Sequence, residues 1–409
     1  MSKPSKNSTP QNQIAELADL SGLGMIPAHS LNGREFSDGK KDYIDFCTTN
    51  YLGFDFRPEL HNKGTAYNKQ WGSLTGWSRL EADPVIYSNL EKRISQFLGV
   101  KDTILSHTIT ITNFSLIPSI AEKGFIFCDS KVHTVVWEAC RLARDHGAQL
   151  TRFKHQDMND LEELLKKHKD VHPKVIAVDG VYSISTEFAP IRELQRLAEK
   201  YDAWLYVDDA HGFGVLGDSP SRGNLYGSGG KGIIAHAGGN YDRTFYVTSF
   251  GKAFCTHTAF ATIPHKYTTH LRGRSMQYIF SAPMPPYTIG VVDATLDLNE
   301  SEGDVARRDL LQVTKRFVDG LKSLNLQFSN NSFFPVVFWN IGTMDTLIEV
   351  AQKMIHNGVA AGIRAYPIVP ADECGLRFGL TRLHTNAQID KTLEIISSCQ
   401  KIKAVKRAA

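Results

Sequence analysis

Five short polar segments could do chemistry together, because each follows an apolar stretch typical of a buried β-strand. In chain order they are Ser106–Asn113, His133, Asp179–Ser183, Asp208–His211 and Ser249–Lys252. Ligands of open parallel sheets bind beyond the carboxyl ends of the strands. A lone histidine is most often structural and a lone lysine is most often a surface charge. The prediction of a site therefore depends on the five segments occurring together.

Asp208 and His211 form the most informative pair. The apolar run Trp204–Val207 leads directly into Asp208, and His211 follows three positions later. A buried carboxylate is costly unless it is paired with a cation, and a protonated pyridine nitrogen would supply that cation. His211 could then donate to a phenolic oxygen on the same ring. The alternative is that Asp208 only caps a following helix and that His211 is incidental.

Lys252 supplies an amine at the end of another predicted strand. Burial lowers the pKa of a lysine, and such a lysine can form a Schiff base with an aldehyde. An acid for a pyridine nitrogen and a lysine for an aldehyde are the pair that pyridoxal 5'-phosphate (PLP) requires. The segment Ser106–Asn113 precedes a helical stretch, whose first backbone N–H groups could hold the phosphate. The sequence therefore predicts PLP as cofactor, and no metal is expected.

The elements that position these residues alternate along the chain from about residue 85. Pro190–Tyr201 is predicted as a helix, because its apolar residues recur with helical period. The predicted strands around it are Phe125–Cys128, Leu150–Phe153, Val175–Val178, Trp204–Val207 and Thr244–Val247. Buried strands that alternate with helices favour a mostly parallel sheet in a three-layer α/β domain.

The last hundred residues predict a smaller α+β domain. A long helix is expected over Asp304–Leu324. Strands are then expected at Pro335–Trp339 and Leu376–Leu380, and helices at Thr346–Asn357 and Asn386–Lys401. We expect an N-terminal segment over residues 1–45, a large cofactor-binding domain over 46–295 and a small C-terminal domain over 296–409.

Composition excludes several classes of protein. The 409 residues contain 46 Lys+Arg against 43 Asp+Glu, and this balance gives no electrostatic footprint for nucleic acid. The apolar runs are far shorter than a membrane span.

The polar segment 1–13 lacks the apolar core of a secretory signal and is expected to be a disordered lead-in. Residues 401–409 are expected to be a solvated basic end. The six scattered cysteines form no CxxC pair and suit reduced thiols, so we expect a cytoplasmic protein.

The motifs around these residues resemble those of the α-oxoamine synthases. That family consists of PLP enzymes of aspartate aminotransferase fold that join an amino acid to an acyl-CoA with loss of CO2. The resemblance runs from about Tyr43 to Lys401. The motifs that carry it are NYLGF (Asn50–Phe54), GWSRL (Gly76–Leu80), DSKVH (Asp129–His133), VDGVYSISTEFAPI (Val178–Ile191), VDDAHGFGVLG (Val207–Gly217), SFGK (Ser249–Lys252), FSAPMPP (Phe280–Pro286) and GLRFGLTRLHT (Gly375–Thr385).

The resemblance implies a role for each matching residue. It makes Lys252 the Schiff-base lysine and Asp208 the partner of the pyridine nitrogen, and it places His133 on the ring face. His211 and Ser183 would lie beside the ring hydroxyl. The implied phosphate contacts are Thr108, Ile109, Ser249 and Ser281, and the implied substrate contacts are Arg377, Asn50 and Ser78. Arg377 would grip the amino-acid carboxylate, a task suited to its planar fork. A homodimer with shared active sites is also implied, because FSAPMPP reaches the neighbouring cofactor in this family.

The sequence departs from the family pattern at two positions of the phosphate site. Thr108-Ile109-Thr110 stands where the family has a Ser-Gly-aromatic turn, and Ala282 replaces a threonine. The segments Leu105–Ile120 and His133–Arg141 resemble quorum-sensing autoinducer synthases that make α-aminoketones or α-hydroxyketones, whereas Thr49–Gly53 resembles serine palmitoyltransferases. Trp137, which follows the autoinducer pattern, is equally explained by core packing.

The implied reaction is a decarboxylating condensation of an amino acid with an acyl-CoA. The apolar segments Asn50–Phe54, Phe280–Tyr287 and Phe333–Phe338 suggest a medium or long acyl chain, as in an autoinducer synthase. The alternatives are a serine palmitoyltransferase-like or 8-amino-7-oxononanoate synthase-like enzyme, and an aminotransferase of the same fold. A non-catalytic partner subunit would lack the lysine, whereas Lys252 is present.

Overall fold

The computed structural model describes residues 26–264, 267–330, 332–366 and 368–407. They divide into two compact units. The large unit comprises Leu52–Ser183 and Glu187–Arg307. The terminal unit comprises the described residues up to Tyr51, the short segment Ile184–Thr186 and the described residues from Arg308 onward. The predicted segment 1–13 lies outside the described residues.

The strands and helices follow one another along both units. The strands are β1 (Ser30–Asn32), β2 (Glu35–Ser37), β3 (Asp42–Phe46), β4 (Asp102–Ser106), β5 (Phe125–Asp129), β6 (Gln149–Phe153), β7 (Lys174–Asp179), β8 (Ala203–Asp208), β9 (Thr244–Ser249), β10 (Ala259–Ile263), β11 (Phe328–Ser329), β12 (Val336–Gly342), β13 (Val359–Arg364) and β14 (Cys374–Gly379). The helices are α1 (Pro58–Trp71), α2 (Val85–Leu98), α3 (Ile109–Ala121), α4 (Thr134–Asp145), α5 (Met158–Lys167), α6 (Ile191–Lys200), α7 (Ile233–His236), α8 (Thr268–Arg272), α9 (Met276–Ile279), α10 (Pro286–Ser323), α11 (Met344–His356) and α12 (Asn386–Arg407).

The large unit is built on a mostly parallel sheet, as predicted. Its strand order is β4-β10-β9-β8-β7-β5-β6, with β5 to β9 parallel and β10 antiparallel to both of its neighbours. The predicted strands extend one or two residues further than expected. Asp179 and Asp208 are therefore the last residues of β7 and β8, and they are direct partners in the ladder.

Burial explains why the central strands could be recognised from sequence. Every residue of β7 and β8 is buried, and strands covered on both faces read as continuous apolar runs. The predicted helix α6 buries Ile191, Leu194 and Leu197 on one face. The apolar sequence pattern thus indicated where these strands lie along the chain.

The terminal unit has a sheet of its own, with the order β1-β2-β3-β13-β14-β12-β11. Only β3 and β13 pair in parallel within it, and its other described pairings are antiparallel. Trp339, Phe378 and Met354 are buried in its core. The strands predicted at Pro335–Trp339 and Leu376–Leu380 correspond to β12 and β14. The helices predicted at Thr346–Asn357 and Asn386–Lys401 correspond to α11 and α12. Helix α12 continues to Arg407, beyond the predicted end at Lys401, so the expected basic end is largely helical.

The observed units do not coincide with the predicted segments 1–45, 46–295 and 296–409. Strand β3 pairs with β13, so the residues before Tyr51 share a sheet with the C-terminal residues. Helix α10 begins at Pro286 rather than at Asp304 and so passes through the predicted boundary. Gly290 lies in its early part, where an added Cβ would be 2.7 Å from the carbonyl oxygen of Lys63. Only glycine leaves room for this close approach to α1, and glycine inside a helix weakens the helical pattern of the sequence.

No helix among the described residues is long and apolar enough to cross a membrane.

Candidate active site

The ends of three adjacent strands bring most of the predicted cofactor residues together in the large unit. Strands β7, β8 and β9 are neighbours, and they end at Asp179, Asp208 and Ser249. His211 and Lys252 follow β8 and β9 within three residues. In a parallel sheet these ends share one edge, where ligands bind.

Asp208 is held by hydrogen bonds that leave its carboxylate well defined. It is 8% exposed. The Asn113 side-chain amide of α3 donates to its Oδ2 at 2.7 Å, and the Ala210 backbone N–H donates to its Oδ1 at 3.2 Å. Asn113 in turn accepts a hydrogen bond from the Tyr206 hydroxyl at 2.6 Å. No local sequence pattern connects Asn113 with Asp208. The available signal was an asparagine within an otherwise apolar helix.

Asp179 is a second buried carboxylate beside Asp208. It accepts from the His133 backbone N–H, with distances of 2.9 and 3.1 Å to its two oxygens. Burial and the charge of Asp208 raise the pKa of Asp179 well above its usual range, and the charge of Lys252 opposes this shift. The sequence marked this segment but did not reveal that the Asp179 carboxylate holds the start of α4.

His133 is the residue that precedes α4. Its side chain is exposed, and its Nδ1 accepts from the Val135 backbone N–H at 3.2 Å. The Asp179 carboxylate holds the backbone of His133 near the end of β7. This location is compatible with the ring-stacking role that the resemblance implies, which stays a prediction.

His211 is buried in the loop after β8, and Asp209 organises that loop. The Asp209 carboxylate is fully buried and accepts from the Gly212 N–H at 3.1 Å, the Ile233 N–H at 2.8 Å and the Tyr246 hydroxyl at 2.8 Å. Burial raises the pKa of Asp209 to about 7 despite these donors. Sequence reasoning overlooked Asp209 because its neighbour Asp208 explained the acidic pair.

Lys252 is half-buried three residues beyond β9. Ser249 shapes the turn that leads to it, because its Oγ donates to the Thr258 carbonyl at 3.1 Å and accepts from the Gly251 N–H at 2.9 Å. Lys252 is close enough to Asp179 for its charge to lower the pKa of that carboxyl group. The predicted amine and the predicted acids therefore lie within one electrostatic environment.

The predicted phosphate loop adopts an ordinary backbone without the family glycine. Thr108 has φ −144° and ψ 154°, and its hydroxyl accepts from the Ile111 N–H at 3.2 Å as the N-cap of α3. Ile109 and Thr110 are not among the residues with positive φ. The first N–H groups of a helix have no partner within the helix and favour phosphate. The Thr-Ile-Thr sequence thus retains the backbone donors at this position.

Three further predicted residues lie in the large unit. Ser183 is half-buried just after the bridge between Val181 and Phe188. The Ser78 hydroxyl donates to the Ile279 carbonyl at 2.9 Å, and the Ser281 hydroxyl donates to the Gln277 carbonyl at 2.8 Å. Their cofactor and substrate roles stay predictions.

Arg377 and Asn50 belong to the terminal unit. Arg377 is 6% exposed on β14 and lies opposite Gly362 of β13. Arg364 is two residues beyond Gly362, so both arginines occupy the same face of the sheet. Burial and the charge of Arg377 lower the pKa of Arg364 to about 10. Tyr51 shares a side-chain hydrogen bond with Arg377, and the backbone N–H of Asn50 donates to the Thr48 hydroxyl at 3.3 Å.

The donor set of the large unit fits PLP. Two buried carboxylates on adjacent strand ends favour a cationic partner, which a protonated pyridine ring provides. A lysine for the aldehyde and a helix N-terminus for the phosphate lie at the same sheet edge. Among the described residues, no group of three or more His, Cys, Asp or Glu side chains could hold a metal ion.

The chain is similar to known proteins over nearly its whole length. Residues 41–396 match the family model of aminotransferase class I and II. The 8-amino-7-oxononanoate synthase of Thermosipho melanesiensis is 31% identical over 362 residues, which cover 87% of this chain and 88% of the relative. The enzyme of the same name from Methylobacillus flagellatus is 30% identical over 406 residues, covering 97% and 98%.

Solved structures show the same fold. A serine palmitoyltransferase from S. paucimobilis with bound PLP-myriocin superposes with a TM-score of 0.86 at 24% identity, covering 98% of this chain and all of that chain. An 8-amino-7-oxononanoate synthase from Francisella tularensis gives a TM-score of 0.73 at 22% identity, covering 88% and 98%. The predicted PLP-dependent aminotransferase-like fold is therefore confirmed. Taken with the family match and the 30–31% identical relatives, this shows that the chain belongs to the aminotransferase class I and II family and, within it, to the α-oxoamine synthases, which are PLP-dependent acyltransferases.

Proposed function

We propose that this chain condenses an amino acid with an acyl-CoA and releases CO2 and free CoA to give an α-aminoketone. The observation that carries the proposal is the placement of Asp208 and Lys252 beyond adjacent strands, in a chain of this family. An acid that keeps a pyridine nitrogen protonated and an amine that binds an aldehyde are the two groups that PLP chemistry needs from a protein.

The residues that would hold the cofactor follow from the site. Asp208 holds the proton on the ring nitrogen, and the Lys252 amine binds the aldehyde. The N-terminus of α3 at Thr108 and Ile109 binds the phosphate together with Ser249. His133, His211 and Ser183 orient the ring. When bound, PLP supplies an electron sink for the electron pair that develops at the amino-acid Cα.

Lys252 and Arg377 are proposed to act on the substrates themselves. Arg377 holds the amino-acid carboxylate with its guanidinium fork. In the substrate complex, Lys252 Nζ would remove the proton from Cα as general base. A bond then forms between Cα and the acyl carbon as the CoA thiolate leaves. The carboxylate departs as CO2, and a proton replaces it at Cα.

Within this reaction class the relatives favour an 8-amino-7-oxononanoate synthase-like or serine palmitoyltransferase-like enzyme over an autoinducer synthase. The autoinducer hypothesis depended in part on Trp137. The guanidinium of Arg152 lies 3.5 Å from the centre of the Trp137 ring, which accounts for this tryptophan without a substrate. The support for an aromatic acyl channel is also reduced, because Tyr51, Phe334 and Phe338 are buried within the core.

The two arginines of the terminal unit support a carboxylate-bearing substrate. The charge of Arg377 and burial lower the pKa of Arg364, so an anion bound to this face would relieve the repulsion. The amino-acid carboxylate supplies one such group. A dicarboxylic acyl chain, which the product name 8-amino-7-oxononanoate denotes, would supply a second.

A homodimer is part of the proposal. Apolar side chains are exposed on the loop before α2 and beside α9: Leu74 at 50%, Trp77 at 49%, Leu80 at 60% and Phe280 at 78%. The hydrogen bond from Ser78 to Ile279 joins these two segments. Contiguous exposed apolar surface marks interaction sites, and a second copy of the chain would cover it.

A paired set of acyl thioesters tests the substrate class. We would measure CoA release with heptanedioyl-CoA and heptanoyl-CoA, which share a chain length and differ by one terminal carboxylate, and with decanoyl- and palmitoyl-CoA. Each thioester is combined with alanine, serine or glycine. An 8-amino-7-oxononanoate synthase-like enzyme prefers the heptanedioyl thioester with alanine. A long-chain enzyme instead gains about tenfold in kcat/KM for every two added carbons, at roughly 0.8 kcal/mol per buried methylene. CoA release with no amino acid present would contradict the proposal.

A further inference from the structure

The carboxylate of Asp208 stands at the end of a buried chain of two hydrogen bonds. The Tyr206 hydroxyl donates to Asn113 Oδ1 at 2.6 Å, and Asn113 Nδ2 donates to Asp208 Oδ2 at 2.7 Å. Tyr206 and Asn113 are both 0% exposed. Tyr206 and Asp208 lie two residues apart on β8 and therefore face the same side of the sheet. Asn113 comes from α3, so the chain links the helix that starts at the phosphate loop to the strand that ends at Asp208.

The Tyr206 hydroxyl decides which way the Asn113 amide points. An asparagine amide can turn by 180° and exchange its donor and acceptor. With the hydroxyl bound to its oxygen, the NH2 group must face Asp208. Burial and the charge of Asp208 raise the pKa of Tyr206 well above its usual range, so the hydroxyl keeps its proton and remains a donor. Without it, a turned amide would place its oxygen against the carboxylate.

The direction of this hydrogen bond matters because Asp208 has a second acid beside it. Asp179 and Asp208 are direct partners at the ends of β7 and β8. A carboxylate oxygen accepts a hydrogen bond from the Asn113 N–H, whereas it would be repelled by an amide oxygen turned towards it. Burial and the charge of Asp208 raise the pKa of Asp179 well above its usual range. Asp209 and Tyr206 also experience the charge of Asp208.

We propose that Tyr206 and Asn113 are a positioning pair that keeps the Asp208 carboxylate oriented, so that the affinity for PLP depends on the Tyr206 hydroxyl. The inference rests on the proposed role of Asp208 opposite the pyridine nitrogen. It adds two residues to the cofactor site that act through Asp208.

The test compares Tyr206→Phe with Tyr87→Phe. Tyr87 is a matched control, because it is also 0% exposed and its hydroxyl donates at 2.6 Å, but to the backbone carbonyl of Met284. The cofactor-free protein is titrated with PLP, and the absorption spectrum of the bound cofactor is recorded. Tyr206→Phe should weaken PLP binding by about tenfold, since it leaves the buried Asn113 oxygen unsatisfied. It should also change that spectrum, because the carboxylate opposite the ring nitrogen is no longer held in place. Tyr87→Phe should keep the wild-type affinity and spectrum.

A double-mutant cycle separates positioning from general destabilisation. Asn113→Ala should weaken PLP binding by about tenfold to a hundredfold, the usual range for a hydrogen bond to a charged group. Adding Tyr206→Phe to Asn113→Ala should then change the affinity little, because Tyr206 acts through Asn113. Additive losses, or a Tyr206→Phe variant with wild-type affinity and spectrum, would overturn the inference. If Tyr206→Phe does not fold, Asn113→Ala alone decides, and wild-type affinity for PLP in that variant overturns the inference.

Asp208→Asn distinguishes this inference from the proposed function. If Asp208→Asn leaves PLP binding unchanged, the assigned role of Asp208 fails and the inference fails with it. If Asp208→Asn weakens binding while Tyr206→Phe and Asn113→Ala do not, only the positioning pair is refuted.

Discussion

Replacing His155 by asparagine should destabilise the protein far more than replacing its exposed partner Glu187 by glutamine. His155 Nδ1 lies 2.9 Å from Asp129 Oδ1, and its Nε2 lies 2.9 Å from Glu187 Oε2. Asp129 is the last residue of β5, so the imidazole joins loops that follow three strands of the large unit. The side-chain exposures are 12% for His155, 1% for Asp129 and 47% for Glu187. The pair between His155 and Asp129 is therefore buried, whereas the pair between His155 and Glu187 is partly exposed to solvent.

The expected magnitudes follow from this difference in burial. Loss of His155 leaves the Asp129 carboxylate buried without its cation, and breaking a buried pair in this way costs about 3–5 kcal/mol. Glu187 is largely exposed, and such a pair contributes about 0.2–1 kcal/mol. We expect His155→Asn to lower the free energy of unfolding by about 3 kcal/mol or more and Glu187→Gln by about 1 kcal/mol or less.

The effect should depend on pH in a direction that the structure fixes. Burial alone would lower the pKa of His155, but the hydrogen bonds to Asp129 and Glu187 outweigh it and raise the pKa, against a smaller opposing effect of Lys131. Because the pKa of His155 is higher in the folded protein than in the unfolded chain, its ion pairs stabilise the fold fully below the unfolded pKa of about 6.5. This stabilisation is lost as the pH rises through the folded pKa of His155. The pKa of Asp129 is lowered by His155, so its contribution is lost only in acid. The difference between wild type and His155→Asn should be largest near pH 5–6, between these two limits.

Urea unfolding at saturating PLP, followed from pH 5 to 9, measures these differences. His236→Asn is the matched control, because His236 is half-buried and its Nε2 contacts the Leu225 carbonyl. Burial lowers the pKa of His236, so its effect on the pH dependence has the opposite sign. Equal losses for His155→Asn and Glu187→Gln, or a pH-independent loss for His155→Asn, would refute this reasoning.

Three further predictions concern the site. Lys252→Ala should bind PLP without a borohydride-reducible link, and a covalent adduct after reduction, detected by mass spectrometry, would show that another lysine serves. Arg377→Ala should raise KM for the amino acid by about a hundredfold through loss of a charge-assisted contact, and it should leave KM for the acyl-CoA nearly unchanged. Arg377→Lys should recover only part of the lost affinity for the amino acid. Equal rises in KM for both substrates would argue against carboxylate binding by Arg377. Asp209→Ala should lower the free energy of unfolding by about 3 kcal/mol or more, since three buried donors lose their acceptor, and urea unfolding that shows less than about 1 kcal/mol would contradict the hydrogen bonds that Asp209 accepts.

The strand ends of the large unit could be predicted because each combines an apolar run with a polar residue where burial stops. Asp208 ends such a run, and Lys252 lies three residues beyond another. The contacts between these segments could not be predicted, because they depend on the packing of α3 against the sheet. Asn113 lies 95 residues from Asp208 in sequence, and His133 lies 46 residues from Asp179.

The terminal unit shows a different limit. Strand β13 has the sequence Val-Ala-Ala-Gly-Ile-Arg, and alanine and glycine are depleted in strands. Its pairing with β3 joins residues more than three hundred positions apart, which no local pattern reveals. The predicted domain boundary at residue 295 differs from the observed one for a related reason. Small and polar residues in the first half of α10 interrupt the apolar pattern by which a helix is recognised.

The reaction products of the PLP-loaded protein test the proposed condensation itself. A carboxyl-labelled amino acid and an acyl-CoA are supplied together, and labelled CO2 and free CoA thiol are quantified for wild type and Lys252→Ala. The wild-type protein should form CO2 and CoA in equal amounts, only when both substrates are present, and Lys252→Ala should form none above background. Amino-group transfer to a keto acid with no release of CoA would contradict the proposed condensation and would identify an aminotransferase instead.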